Sequence, residues 1–250
     1  MYSLMERLFP ICRSITGNGV RETLNIIKEY IPLNIKEVPS GTKVFDWEIP
    51  DEWNIKDAYV KDEDGNRVID FKCSNLHVVN YSIPFVGKLT LAELKKHLYT
   101  LPNQPSLIPY VTSYYEKRWG FCLSKNQYDS LKKIIYEVKI NATLEPGSLT
   151  YADLIIPGKS EKEILFSTYI CHPSLANNEL SGPVVAIFLA KYFLEKRNNY
   201  YTYRFVFAPE TIGTITYLSI ELAHLKKNVI AGYVMTCVGD DGIFSYLQTK

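Results

Sequence analysis

ILFSTYICHPSLANNELSG, residues 164–182, is the stretch from which the rest of the chain is read. Ile164, Leu165 and Phe166 are apolar and β-prone, and Ser167 to Ile170 continue the run. Cys171-His172-Pro173 stops it, because a proline has no N–H to give to a ladder. From Gly182 onward, Val184 to Leu194 is a nearly unbroken apolar run that predicts a buried helix. His172 therefore falls beyond the carboxyl end of a strand, where open α/β sheets bind ligands. A lone histidine there often does no more than satisfy backbone groups, so the next strand matters. Tyr203 to Ala208 is that strand, and it delivers Pro209-Glu210 followed by Thr211-Ile212-Gly213. An imidazole and a carboxylate at the ends of neighbouring strands can share one metal or one water.

Outward from this motif the chain changes character twice. Residues 1 to about 32 read as two helices, Leu4, Leu8 and Ile11 on one face, then Leu24, Ile27 and Tyr30 after the turn Thr16-Gly17-Asn18-Gly19. Leu33 to Val38 alternates like a strand. From Val44 to about Ile140 short β-like pieces follow: Ala58 to Val60, Val68 to Phe71, and Leu76 to Val79 with His77 in it. Glu63-Asp64-Gly65-Asn66 between them is a hairpin signal. One helix, Leu91 to His97, interrupts, and all three tryptophans, Trp47, Trp53 and Trp119, fall in this segment. After Gly147 the strand–helix alternation of an α/β domain begins. The last pieces are a strand Gly232 to Cys237, the turn Val238-Gly239-Asp240-Asp241-Gly242, and a strand-like Phe244 to Leu247.

Composition narrows the function classes. With 250 residues, 46% hydrophobic and 22% charged, the chain can bury one large or two small cores. Its 28 basic and 27 acidic residues leave a net charge of +1, without the basic footprint of a nucleic-acid binder. Lys95-Lys96-His97 and Lys132-Lys133 read as solvated helix faces, and GNGVRE at 17–22 lacks the Gly-Lys-Ser/Thr ending of a phosphate loop. No apolar run reaches the roughly 18 residues that span a bilayer, so no membrane partner is expected. No export signal is visible at the N-terminus, and five cysteines without a CxxC pair fit reduced thiols, so a cytoplasmic location is expected.

Six stretches in order, RSITGNGVRETL, VPSGTKVFDWEIPDEWNI, SNLHVVNYS, LPNQPSLIPYVTSYYEKRWGFCL, STYICHPS and APETIGTITYLS, carry a resemblance along nearly the whole chain. It resembles the aminopeptidase-like proteins of polysaccharide-biosynthesis gene clusters, relatives of the zinc aminopeptidases of the leucyl-aminopeptidase type. The resemblance implies an α/β phosphorylase/hydrolase-like sandwich, C-terminally incomplete here, with an inserted β-rich domain. The implied bounds are 1–40 for the first part of the peptidase-like domain, 41–140 for an insertion with its own aromatic core, and 141–250 for the rest.

The same resemblance implies a site. His172 falls on the family's strand-end histidine ligand, Asn178 on the aspartate that bridges two metals, and Glu210 on the glutamate that serves as general base. Thr211 stands where a second glutamate would bind the second metal. Asn178 offers only a neutral carbonyl oxygen, so a dinuclear site is not expected, and a mononuclear zinc site or none is. The later ligand is sought among Cys237, Asp240 and Asp241, with Asp240 taken. Glu210 is the expected catalytic residue and His172, Asn178 and Asp240 the expected metal ligands. The function implied is a metal-dependent amide hydrolase acting on a peptide or N-acylated amino sugar, the alternative being a non-catalytic binding protein on the same fold. Tyr110, Tyr114, Tyr115, Trp119 and Phe121 are read either as a groove for a sugar or peptide or as core. His77, His97 and His224 are read as structural, and homo-oligomerisation is left open.

Overall fold

The computed structural model describes residues 1–196, 198–243 and 245–248. Two short helices open the chain, α1 (Tyr2–Leu8) and α2 (Asn18–Lys28). Helix α2 is amphipathic at the helical period, with Val20, Leu24 and Ile27 inward. It begins at Gly17, whose φ of +100° and closeness to the Trp53 carbonyl, 2.0 Å from where a Cβ would stand, leave no room for a side chain.

Strand β1 (Asn34–Pro39) leads into a region of short elements: β2 (Lys43–Val44), β3 (Trp47–Glu48), β4 (Glu52–Lys61), β5 (Arg67–Asp70), β6 (Phe85–Thr90), helix α3 (Leu91–Leu94), β7 (Leu98–Tyr99), β8 (Phe121–Cys122), helix α4 (Lys125–Ser130) and β9 (Ile135–Glu145). Four of them form an antiparallel sheet in the order β5-β4-β9-β6. Strand β9 shows why: Tyr136, Val138, Ile140 and Ala142 are buried while Glu137, Lys139 and Asn141 point away, the period-two pattern of a sheet with one wet face. The hairpin read at Glu63 to Asn66 joins β4 to β5, with Gly65 at φ +84°.

The remaining elements are β10 (Ser148–Ile156), β11 (Ser160–Tyr169), a π-helical turn (Ala176–Leu180), α5 (Ser181–Lys196), β12 (Tyr201–Ala208), α6 (Ile212–Asn228) and β13 (Val229–Val234). With β1 they make a mixed five-stranded sheet in the order β1-β10-β12-β11-β13. Strand β11 runs parallel to β12 and β13, and β10 antiparallel to β1 and β12. Alternation along β12 separates the two cores. Phe205 and Phe207 pack with Leu24, Ile27, Val184 and Ile187 of α2 and α5, whereas Val206 and Ala208 pack with Ile212, Tyr217 and Leu225 of α6. Each fully buried side chain of this size contributes roughly 1.5–3 kcal/mol.

Several expectations need correction. The aromatic core is not confined to 41–140: Trp53, Tyr81, Tyr136 and Ile140 belong to one cluster with Tyr151, Val206 and Tyr217, because the dry face of the small sheet closes onto the α6 face of the large one. His77 lies in a single 3-10 turn, Asn75–His77, capped by the Ser74 hydroxyl, rather than in a strand. Among the described residues the last strand is Val229–Val234, so Cys237 lies beyond it. Of the strand-like stretch at 244–247, Phe244 lies outside the described residues, and Ser245, Tyr246 and Leu247 form no strand. Among the described residues no helix is long and apolar enough to cross a membrane.

Candidate active site

Strands β11 and β12 run parallel with Tyr169 beside Ala208, so the segments that leave them emerge side by side at the same sheet edge. This register puts His172 against Glu210, with Nε2 3.2 Å from Oε2. The Glu210 backbone N–H donates to the Cys171 sulfur at 3.2 Å. On the other side of the ring, Nδ1 lies 3.0 Å from Asn178 Oδ1 and 3.1 Å from Glu179 Oε2. Both ring nitrogens thus face oxygen acceptors. Burial works against a charged imidazole here, but the Cys171 thiol and the Glu179 carboxylate outweigh it and raise the His172 pKa to about 11.

Glu179 is fully buried, and its carboxylate meets only the His172 ring at Oε2 and, farther off, Arg13 at Oε1. The fully buried Arg13 brings Nε to 3.5 Å from Glu179 Oε1. Its hydrogen bonds go elsewhere, however: Nε donates to the His172 carbonyl at 2.9 Å and Nη1 to the Leu8 carbonyl at 2.8 Å, while Nη2 donates to nothing. Glu179 reaches this position through the π-helical turn, in which the Leu180 N–H reaches back five residues to Leu175 at 3.3 Å. A π-turn carries one residue more than an α-turn, and such bulges recur at functional sites.

The backbone around the site is held in sparsely populated conformations. Ser174, Thr211 and Cys237 have φ of 45°, 59° and 51°, and Thr211 is β-branched, for which this region is a genuine outlier. Gly182 allows the start of α5 to lie against the chain leaving β13: the Met235 carbonyl is 2.3 Å from where a Cβ would stand.

His172 and Glu210 open into a cavity of about 240 Å³ walled by Trp47, Tyr110, Tyr114 and Tyr115, with Thr211 and Cys171 also lining it. Tyr110 packs edge-on to the His172 ring at 5.1 Å and shares a 2.7 Å hydrogen bond with Tyr114. Trp47 meets Tyr115 edge-on at 5.6 Å. Of the aromatic run read from sequence, Tyr110, Tyr114 and Tyr115 line the cavity, while Trp119 and Phe121 are buried in the core.

The structure therefore brings together His172, Asn178 and Glu210. Asp240 is occupied otherwise: its carboxylate accepts from Asn177 Nδ2 at 2.5 Å and from the Gly242 N–H at 2.7 Å. Cys237 comes nearer, with its sulfur 3.8 Å from Asn178 Nδ2. Sequence reasoning passed over Arg13, Cys171, Glu179 and Trp47. Arg13 and Trp47 lay inside the quoted signatures, but nothing in one dimension tied them to His172. Among the described residues Cys171, His172 and Glu179 alone put three candidate ligand atoms within 4.8 Å of one another.

Comparison with known proteins agrees with this architecture. A family model described as a domain of unknown function, DUF4910, matches residues 2–250. A curated protein of Clostridium acetobutylicum, named for polysaccharide biosynthesis and an aminopeptidase-like domain, is 56% identical over 250 residues, 100% of this chain and 57% of that protein. A crystal structure described as a peptidase from Clostridium acetobutylicum superposes with a TM-score of 0.95 at 57% identity, over 97% of this chain and 57% of that one. A zinc aminopeptidase from Bacillus subtilis gives 0.61 at 13% identity, over 95% of this chain and 68% of that one. The fold is that of the zinc aminopeptidases, as the motifs implied, and the chain spans 57% of the length of its two Clostridium relatives.

Proposed function

Since the chain belongs to the DUF4910 family, we propose that it is an amide hydrolase of aminopeptidase type, with Glu210 as proton acceptor and a divalent cation, zinc, at His172. The observation that carries the reading is the 3.2 Å approach of His172 Nε2 to Glu210 Oε2, both lining the aromatic cavity, at the ends of two parallel strands. The donors around His172 suit such a cation: an imidazole, a thiol and a fully buried carboxylate. Asn178 adds a carbonyl oxygen, and Asp240 remains a candidate only if its bonds to Asn177 and Gly242 are released. When bound, the cation supplies Lewis acidity toward an amide carbonyl.

The chain's own residues do the rest. Glu210, half-exposed at the cavity mouth, takes a proton from the attacking water and returns it to the leaving amine. Tyr110, Tyr114, Tyr115 and Trp47 exclude bulk water and offer flat faces to a ring or an apolar side chain. All four come from the region we assign to an inserted lobe at 41–140, so that lobe shapes the substrate side of the site. We assign the substrate to the peptides or N-acylated amino sugars of polysaccharide assembly on the strength of the Clostridium relative's name, and a cytoplasmic location in keeping with the free cysteines. A binding protein is the second reading. Asn178 and Thr211 favour it, since both replace carboxylates, and so does the Arg13–Glu179 pair, which supplies an internal cation.

The test is hydrolysis of aminoacyl anilides and N-acetylated amino sugars by the zinc-loaded protein. Activity is expected, and Glu210→Gln should lower kcat by about 10²–10⁴-fold with metal content unchanged. A folded, zinc-loaded chain inert toward every substrate would leave the binding protein.

A further inference from the structure

We infer that the carboxylate missing at position 178 is supplied by the next residue: Glu179, with His172 and Cys171, forms a single-cation site of Cys-His-Glu type. The inference rests on the reading above, that a divalent cation belongs at His172, but it replaces Asn178 and Asp240 as the ligands. Three observations carry it. The ligand atoms of Cys171, His172 and Glu179 lie within 4.8 Å of one another, and His172 Nδ1 is 3.1 Å from Glu179 Oε2. Ligand atoms on one tetrahedral zinc, with bonds of about 2.0–2.3 Å, stand about 3.2–3.8 Å apart, so small adjustments close the set.

The second observation is the under-bonded carboxylate. A buried charged acceptor short of donors costs about 1–3 kcal/mol or more, and fully buried Glu179 has only the His172 ring at 3.1 Å and Arg13 Nε at 3.5 Å. Arg13 adds charge at 3.5 Å but spends its bonds on the His172 and Leu8 carbonyls. A cation between Glu179 and Cys171 would meet this need. The third is the environment of the sulfur. The Glu210 N–H points at Cys171 Sγ at 3.2 Å, a contact that stabilises a thiolate and orients a ligand from outside the coordination shell.

The π-helical turn explains the shift by one residue. Its extra residue per turn brings 179, not only 178, to the side facing His172. On metal binding the Cys171 thiol proton goes to solvent. The thiolate and imidazole favour zinc or cobalt(II) over magnesium or calcium.

The experiment is cobalt(II) titration of the full 250-residue chain followed by absorption, with calorimetric zinc titration beside it, on wild type, Cys171→Ser, Glu179→Gln and Asp240→Asn. One equivalent of cobalt with a sulfur-to-cobalt charge-transfer band is expected. Cys171→Ser should abolish the band, Glu179→Gln should weaken binding by more than about tenfold, and Asp240→Asn should bind as wild type does. Cobalt uptake without the band, loss of binding in Asp240→Asn with Glu179→Gln unaffected, or no uptake by the folded wild type would each overturn the inference. Should Glu179→Gln fail to fold, the band and its loss in Cys171→Ser decide. A chain that binds cobalt with the band but hydrolyses no amide keeps this ligand set and sinks the hydrolase. A chain that hydrolyses amides through a cation bound without sulfur does the reverse.

Discussion

The large sheet buries charge in two places, and the two are built on opposite terms. Between the sheet and α6, Glu163 accepts from Arg204 Nε at 2.6 Å, from Arg204 Nη2 at 3.1 Å and lies 2.7 Å from His224 Nε2. Asp153 beside it is met by Lys36 at 3.0 Å and Asn34 at 3.3 Å, and Arg204 also donates to Tyr217 at 2.7 Å. At the strand ends, by contrast, Glu179 meets only His172 at 3.1 Å and Arg13 at 3.5 Å, and Arg13 Nη2 donates to nothing. A saturated network is architecture. The less saturated one is where we place the proposed cation. His224, read from sequence as structural, closes the saturated network.

The comparison breaks most visibly at Arg204. Arg204→Met should cost about 3–5 kcal/mol in urea unfolding, because it strands the buried Glu163; a cost below about 1 kcal/mol would mean the network carries no structural load. Glu179→Gln, measured the same way on metal-free protein, should cost less than Arg204→Met, since the amide keeps the size and an acceptor oxygen for Arg13 and His172, whereas Arg204→Met removes every bond Arg204 gives to Glu163. Equal costs at the two positions would erase the distinction.

A third measurement sharpens it with a paired carboxylate outside both clusters. Glu52 takes hydrogen bonds from Arg21, Asn54 and the Ser148 N–H, tying α2, β4 and β10 together, and the Arg21 bond leads in holding its pKa down to about 2. A folded-state pKa below the unfolded one means stability that is present above the unfolded value, about 4.5, and lost as pH falls toward about 2. Glu52→Gln should therefore flatten the acid limb of a stability–pH curve by roughly 1 kcal/mol, a figure reduced for the solvent around Arg21. The smallest effect is expected at His224. With Glu163 keeping both Arg204 bonds, His224→Ala should cost less than about 1 kcal/mol in the same unfolding assay.

How far the site could be read depended on the kind of signal. His172 and Glu210 were legible because a strand that ends in a proline-bounded turn places its next side chain at a sheet edge, a local rule. Tyr110, Tyr114 and Tyr115 were legible as aromatic but ambiguous between groove and core, since burial is decided by what packs opposite. Glu179 stood in plain view beside Asn178, yet an α-helical count gives 179 another direction. Only the π-turn turns it toward His172.

The sequence by itself determined the strand–helix alternation after Gly147, the hairpin at Gly65, the amphipathic α2 and the family, because period, turn chemistry and motif order are properties of neighbours along the chain. The tertiary structure decided which charges are saturated, that one core runs through both sheets, and that Trp47 and Arg13 converge on a histidine more than a hundred residues away. Those are contacts between distant segments, fixed by packing and by the geometry of a single widened turn, and no period in the sequence encodes them.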